Sequence, residues 1–71
     1  MNRIHPSKLR HSKWTAVTPK NKEKHFLVTE VDYDDEGNVI DCVLEAIMTK
    51  QQYAIDWQDL KDTQVWKQGW V

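Results

Sequence analysis

Two long segments rich in β-branched and aromatic residues, separated by five polar residues, constrain the fold of this chain more than any other feature. Residues 24–33 (KHFLVTEVDY) and 39–48 (VIDCVLEAIM) have the composition typical of strands. Between them lies DDEGN, in which Gly37 and Asn38 can adopt the positive φ that a tight connection requires. The pattern therefore predicts a central β-hairpin with an exposed loop over 34–38.

The register of this hairpin follows from the alternation of its side chains. Apolar residues gather on one face when the opposed pairs are Tyr33 with Ile40, Val31 with Cys42, Thr29 with Leu44, Leu27 with Ala46 and His25 with Met48. The cost is a like-charged pair, Asp32 opposite Asp41, near the exposed end of the hairpin. We therefore predict one buried face that holds Leu27, Val31, Ile40, Cys42 and Leu44.

Shorter segments on either side of the hairpin complete the predicted sheet. Residues 13–17 (KWTAV) are typical of a strand, and Pro19 and Asn21 supply the turn chemistry that would end it. Residues 52–57 (QYAIDW) alternate in polarity and predict a further strand, with one side formed by Tyr53, Ile55 and Trp57.

The end of the chain predicts one helical turn and a last short strand. Asp56 as a cap, followed by Asp59, favours a turn over 57–61, and residues 65–67 favour a strand before Gly69. The expected fold class is mainly β: a small antiparallel meander curled into an SH3-like barrel with a short helical turn. An α+β roll with the same strands is the alternative.

The length of the chain limits this fold to one small domain. With 71 residues the chain can bury only about 60% of the surface that it exposes when unfolded, so its core is thin. We expect residues 1–11 to form a basic N-terminal leader, disordered or lightly docked, and residues 12–71 to form a single compact β-rich domain. A deep substrate cavity would consume such a core.

Residues that could carry catalysis or bind a metal are few and poorly spaced. Cys42 is the only cysteine, and His5, His11 and His25 lack the partner spacing of zinc sites. Cys42 is expected in the core, where burial raises the pKa of a thiol and makes it inert. The chain also lacks a glycine-rich phosphate loop, since Gly37 and Gly69 are its only glycines. We therefore expect no enzymatic activity, no metal and no cofactor.

Charge and tryptophan content are the unusual features of the composition. Residues 1–25 carry a net charge of +6, whereas residues 26–71 carry −7. Four tryptophans occur in 71 residues, and tryptophan buries a large area per residue. We expect Trp14 and Trp57 in the core or at its rim, Trp66 docked and Trp70 partly exposed.

Several motifs together identify the chain with a known group. In order along the sequence they are NRIHPSKL, SKWTAV, EKHFLVT, CVLEA, QYAIDW, LKD and WKQGW. With these motifs the chain resembles the small tryptophan-rich conserved hypothetical protein family of bacteria, over almost its whole length. The resemblance implies a family label, but no activity, ligand or site residue.

The function expected from these observations is that of a cytoplasmic interaction module without catalytic activity, acting as a monomer. The chain has no apolar stretch of the roughly 20 residues that a membrane span requires. Its partner would be a protein or a ribonucleoprotein, and the alternative is direct binding of RNA or single-stranded DNA. The contacts are expected from four basic residues and one aromatic ring: Arg3, Lys8, Arg10, Lys13 and Trp70.

Overall fold

The computed structural model describes residues 1–71 as one antiparallel sheet with two short 3₁₀ turns. The strands are β1 (Lys13–Lys20), β2 (Glu23–Tyr33), β3 (Val39–Ala46), β4 (Gln52–Ile55) and β5 (Trp66–Gln68). The 3₁₀ turns span Pro6–Lys8 and Trp57–Lys61. The strand order β4-β3-β2-β1-β5 leaves β4 and β5 as the two edges. The mainly β class is confirmed, but the sheet is not closed, so the barrel is not.

A bulge at Thr29 divides β2 into two halves of opposite alternation. Val31 pairs with Cys42, and Glu30 with Val43, in the predicted register. Beyond Thr29 the structure pairs Val28 with Leu44 and Phe26 with Ala46, so the predicted pairs Thr29–Leu44, Leu27–Ala46 and His25–Met48 are wrong. An extra residue in one strand shifts every following side chain to the other face. For this reason Leu27 does not join the core face that we predicted for it, and Phe26 and Val28 take that role.

A second irregularity lies near the hairpin loop. Tyr33 pairs with Val39 rather than with Ile40, while Asp32 remains opposite Asp41 as predicted. Ile40 is therefore the extra residue of β3, and 59% of its surface is exposed. The prediction that Ile40 is buried is wrong, because a bulged residue leaves the alternation that assigned it to the core.

The core lies on one face of the sheet, which we call the core face. Val31, Cys42 and Leu44 are buried there as predicted. The other buried apolar residues are Leu9, Trp14, Phe26, Val28, Ala46 and Leu60. Leu9 directly follows the first 3₁₀ turn and Leu60 lies in the second, and both join the core from outside the sheet. The core is thus completed by segments that are not strands.

The first connection lies later in the chain than its sequence indicates. Pro19 does not end β1, which continues to Lys20, and the turn is formed by Asn21 and Lys22, both with positive φ. Proline is tolerated in this part of β1 because the register with β2 is irregular between Thr15 and Lys20. The strand end predicted at residue 17 is therefore wrong by three residues.

Three other strands have bounds that differ from the prediction: β3 ends at Ala46 instead of 48, β4 ends at Ile55 instead of 57, and β5 spans Trp66–Gln68 instead of 65–67. Trp57 therefore lies in the second 3₁₀ turn and not on a strand.

The predicted cap, the glycine turn and the burial of the tryptophans agree with the structure. Asp56 caps the second 3₁₀ turn by accepting a hydrogen bond from the Gln58 amide at 3.0 Å. Gly69 has a φ of +80° after β5. Trp14 is buried, Trp57 and Trp66 pack against the core, and Trp70 is 43% exposed, so all four tryptophans lie as predicted. None of the helical segments is long or apolar enough to cross a lipid bilayer.

Residues 1–12 cross the molecule from β5 toward the hairpin loop. The Asn2 amide donates to the Lys61 carbonyl at 2.9 Å, and the Tyr33 hydroxyl donates to the Pro6 carbonyl at 2.6 Å. Leu9, three residues after Pro6, has no exposed surface and belongs to the core. The segment thereby brings its basic side chains against the start of β1, where the candidate site forms.

Candidate functional site

A groove beside the start of β1 brings together three of the five predicted contact residues, Arg3, Lys8 and Lys13. It has a volume of about 520 Å³, and its other lining residues are Ile4, His5, Ser12, Trp14 and Gln68. No carboxylate belongs to this lining. We call this feature the basic groove, and its charge suits an anionic ligand.

Hydrogen bonds between distant parts of the chain hold the groove in shape. The Gln68 side-chain amide donates to the Arg3 carbonyl at 2.7 Å and joins the N-terminal segment to β5. The Trp14 indole N–H donates to the Ser12 hydroxyl at 2.8 Å, and this hydroxyl donates to the Leu9 carbonyl at 2.6 Å. The walls are therefore connected to the core, although the basic side chains themselves are exposed.

Trp70 lies next to the groove, not in it. Its indole N–H donates to the Phe26 carbonyl at 2.9 Å, so the orientation of the ring is set. The Lys13 ammonium lies 4.8 Å from the centroid of the Trp70 ring. The centroids of the His25 and Trp70 rings are 6.0 Å apart, and the two rings are tilted relative to each other. Lys13 therefore links the predicted aromatic contact to the basic groove through a cation–π interaction.

Arg10 is the one predicted contact residue that lies elsewhere. Its guanidinium donates to the Val31 carbonyl at 2.7 Å and does not line the basic groove. The side chain is turned toward β2 because residues 9–12 run beside that strand, with the His11 amide donating to the Val28 carbonyl at 2.8 Å. Arg10 therefore stabilises the docked N-terminal segment.

Sequence reasoning missed a second groove, which lies on the core face near the β1–β2 turn. Its volume is about 680 Å³, and eight of its 13 lining residues are hydrophobic. We call it the apolar groove. Its lining comprises Ala16, Thr18, Lys20, Asn21, Glu23, Phe26, Leu44, Tyr53, Ala54, Ile55, Gln64, Val65 and Trp66.

Glu23 is the buried carboxylate of the apolar groove. It accepts hydrogen bonds from the Thr49 hydroxyl and from the Tyr53 hydroxyl, the latter at 2.6 Å. These bonds, Thr49 first, hold the pKa of the Glu23 carboxyl below its ordinary value. In the sequence, the one feature that distinguished Glu23 was that it is the only acid of residues 1–25. Its hydrogen-bond partners could not be inferred, since both lie more than 25 residues away.

The cysteine and the histidines do not assemble into a metal centre. No group of three or more His, Cys, Asp or Glu side chains could hold a metal ion. Cys42 is buried as predicted, and its burial, with a smaller contribution from the charge of Asp56, raises the pKa of its thiol to about 11. A thiol with this pKa is protonated near neutral pH and is a poor nucleophile.

Comparisons with known proteins agree with the motifs of the sequence. A search of curated proteins and a search of solved structures each gave no match. The model of a family described as Tryptophan-rich protein (DUF2389) matches residues 12–71, which include all four tryptophans. No function is assigned to this family. The resemblance indicated by the motifs is thereby confirmed, and the chain belongs to the tryptophan-rich protein family DUF2389.

Proposed function

We propose that this protein is a non-catalytic interaction module of the cytoplasm, and that its basic groove binds an acidic segment of a partner protein. The observation that carries the proposal is the lining of the groove, where Arg3, Lys8 and Lys13 lie together with His5 and without a carboxylate. Charged side chains on a connected frame attract an oppositely charged segment and orient it. Trp70 beside Lys13 adds an aromatic contact of the kind that anchors many protein interfaces.

A second candidate function is the binding of single-stranded RNA or DNA. The half-exposed ring of Trp70 beside a cationic groove favours it, because nucleic-acid platforms combine a positive path for the phosphates with rings on which bases stack. The Lys13 ammonium over the Trp70 ring argues against it, since a stacked base would have to displace that side chain from the face that it covers. We therefore rank the protein partner first.

Titration distinguishes the two ligands. The labelled probes are an acidic peptide and an unstructured single-stranded oligonucleotide of equal net charge. We expect the peptide to bind more tightly, and the isolated protein to bind the oligonucleotide weakly or not at all. If the oligonucleotide binds with a dissociation constant below about 1 μM, and its affinity falls about tenfold or more between about 50 and 200 mM salt, the nucleic-acid function replaces the first proposal.

Variants in which basic side chains are replaced by neutral ones test whether the basic groove is the binding site. Replacing Arg3, Lys8 and Lys13 by alanine should abolish binding of the acidic peptide, because each change removes a cation from the lining. The matched control replaces Lys20, Lys22 and Lys24, which are also exposed and do not line this groove. Equal loss of binding in both triple variants would mean that net charge, and not the groove, attracts the peptide.

A further inference from the structure

The two edges of the open sheet lie on either side of the apolar groove. Tyr53, Ala54 and Ile55 of β4 line one side, and Val65 and Trp66 line the other. Phe26 and Leu44, from the central strands β2 and β3, also belong to the lining. The groove is therefore the gap that a closed barrel would not have, and its width separates β4 from a strand with which it could otherwise pair.

The β4 edge carries backbone groups without partners. The Ala46 amide donates to the Gln51 carbonyl at 2.9 Å, so these two residues form a hydrogen-bonded pair. In an antiparallel ladder every second pair is of this kind, which makes Leu44–Tyr53 and Cys42–Ile55 the next hydrogen-bonded pairs of β3 and β4. Gln52 and Ala54 occupy the positions between those pairs, and their N–H and C=O groups point away from β3. No hydrogen bond from another segment reaches the backbone N–H or C=O group of Gln52 or Ala54. Such an edge is a template for an added strand.

The carboxylate of Glu23 supplies a charge at the same place. It lines the apolar groove with only 6% of the residue exposed, and its two hydrogen-bond donors, Thr49 and Tyr53, are neutral. Lys20 is the one cation of the lining and pairs with Glu23 in the β1–β2 register, but its side chain is exposed and forms no salt bridge with the carboxylate. A carboxylate with two donors retains lone pairs for a further, cationic donor.

We propose that the apolar groove binds an extended peptide segment of another protein, which adds to the sheet as a sixth strand against β4. Its alternate apolar side chains enter the groove, and one lysine or arginine on that same face is held by the Glu23 carboxylate. The Ala54 N–H and C=O form the main-chain hydrogen bonds. This site is separate from the basic groove and has the opposite charge preference, so the two proposals can fail independently.

The experiment uses the full chain and a set of capped synthetic peptides. Each has about seven residues of alternating valine and threonine, with lysine at each valine position in turn. A matched set carries glutamate in place of lysine. Binding is followed by chemical-shift changes of backbone amides and tryptophan indoles. We expect the best lysine peptide to shift Gln52, Ala54 and Trp66, and to bind about tenfold more tightly than its glutamate counterpart.

Two variants locate the contacts. Ala54→Pro removes an outward-facing donor without breaking the β3–β4 ladder, and should weaken the lysine peptide at least about fivefold. Ala54→Ser is the matched control, because it changes the side chain at the same position and keeps the backbone N–H. Glu23→Gln preserves a partner for Thr49 and Tyr53 and should remove the preference for lysine over glutamate while leaving the apolar contribution.

Three outcomes would overturn the proposal. One is the absence of shifts in β4 of the wild-type protein at about 1 mM of every lysine peptide, a measurement that does not depend on any variant folding. Another is equal affinity for the lysine and glutamate peptides. The third is a dimer of the protein alone that Ala54→Pro converts to a monomer, which would assign the β4 edge to a second copy of this chain.

Discussion

The two edge strands of the sheet differ in what lies against their outward backbone groups. At β5, the Trp66 carbonyl accepts a hydrogen bond from the Asn2 side chain at 2.9 Å, and the Trp66 amide donates to the Asp62 carbonyl at 2.9 Å. At β4, Gln52 and Ala54 have no such partner. Proteins commonly cover their edges to prevent unwanted pairing. Here the N-terminal segment covers the β5 edge, so β4 is the edge that remains open to another strand.

The largest expected effect concerns the residue that docks the N-terminal segment. Leu9→Ala should lower the free energy of unfolding by about 2–5 kcal/mol, because Leu9 is fully buried and its truncation leaves a cavity. Chemical denaturation followed by circular dichroism measures the loss. Ile40→Ala, on the β4 side of the sheet and 59% exposed, is the control and should change stability by less than about 0.5 kcal/mol. Similar losses in both variants would contradict the assignment of Leu9 to the core.

The second effect uses Cys42, which lies opposite Ile55 of β4, as a reporter of that edge. With its pKa raised from 9.0 to about 11, the folded thiol should react with iodoacetamide at least about a hundredfold more slowly than the thiol of the denatured chain. The residual reaction should proceed through release of β4, whose only partner strand is β3. Its rate should therefore depend less on urea than global unfolding does.

If the labelling rate and global unfolding depend equally on urea, the proposed difference between the β4 and β5 edges is contradicted. It would mean that β4 opens only when the whole sheet unfolds, and that the bare edge is as stable as the covered one. Cys42→Ser, which has no thiol, controls for modification at other residues, because Cys42 is the only cysteine of the chain.

The third effect tests how the β5 edge is covered. The Asn2 side chain donates to two carbonyls, those of Leu60 at 2.8 Å and Trp66 at 2.9 Å. Asn2→Ala should cost about 1–3 kcal/mol, since it leaves partly buried acceptors without a donor. Gln52→Ala is the matched change on β4, where the exposed side chain bonds only to Glu45, and should cost less than about 0.5 kcal/mol. A reversed order of the two losses, measured by denaturation, would contradict the comparison.

The smallest effect is a pH dependence of stability that arises from Glu23, whose carboxylate is bonded to Tyr53 of β4. The pKa of the Glu23 carboxyl is lower in the folded state than its ordinary value of 4.5 because of hydrogen bonds from Thr49 and Tyr53. Its contribution to stability is therefore complete above pH 4.5 and is lost as the pH falls through the lowered folded pKa. Glu23→Gln should flatten the decline of the melting temperature below pH 4.5.

Asp34 contributes to stability in a similar acid range. Its pKa is lowered chiefly by the hydrogen bond from the Asn38 amide in the hairpin loop. Some decline should therefore persist in Glu23→Gln and diminish further when Asp34→Asn is added. If the single variant declines with pH as steeply as the wild type does, the hydrogen bonds to Glu23 do not stabilise the folded protein.

The predicted contact residues show where sequence reasoning was sufficient for the site and where it was not. The excess of basic residues before residue 25 pointed to Arg3, Lys8 and Lys13, which the structure brings together. Nothing local distinguished Arg10 from them, because its contact is with a carbonyl 21 residues away. Glu23 was overlooked for the same reason, since its hydrogen-bond donors come from the other side of the hairpin.

The sequence by itself determined the features that depend on near neighbours: the strand composition, the hairpin loop over 34–38, the cap at Asp56 and the burial order of the tryptophans. Only the tertiary structure decided the bulges at Thr29 and Ile40, the burial of Leu9 and the open edge at β4. A bulge costs little locally and is selected by how the whole sheet curves over its core. Likewise, an edge is open or covered according to segments far away in the chain, which alternation within one strand does not encode.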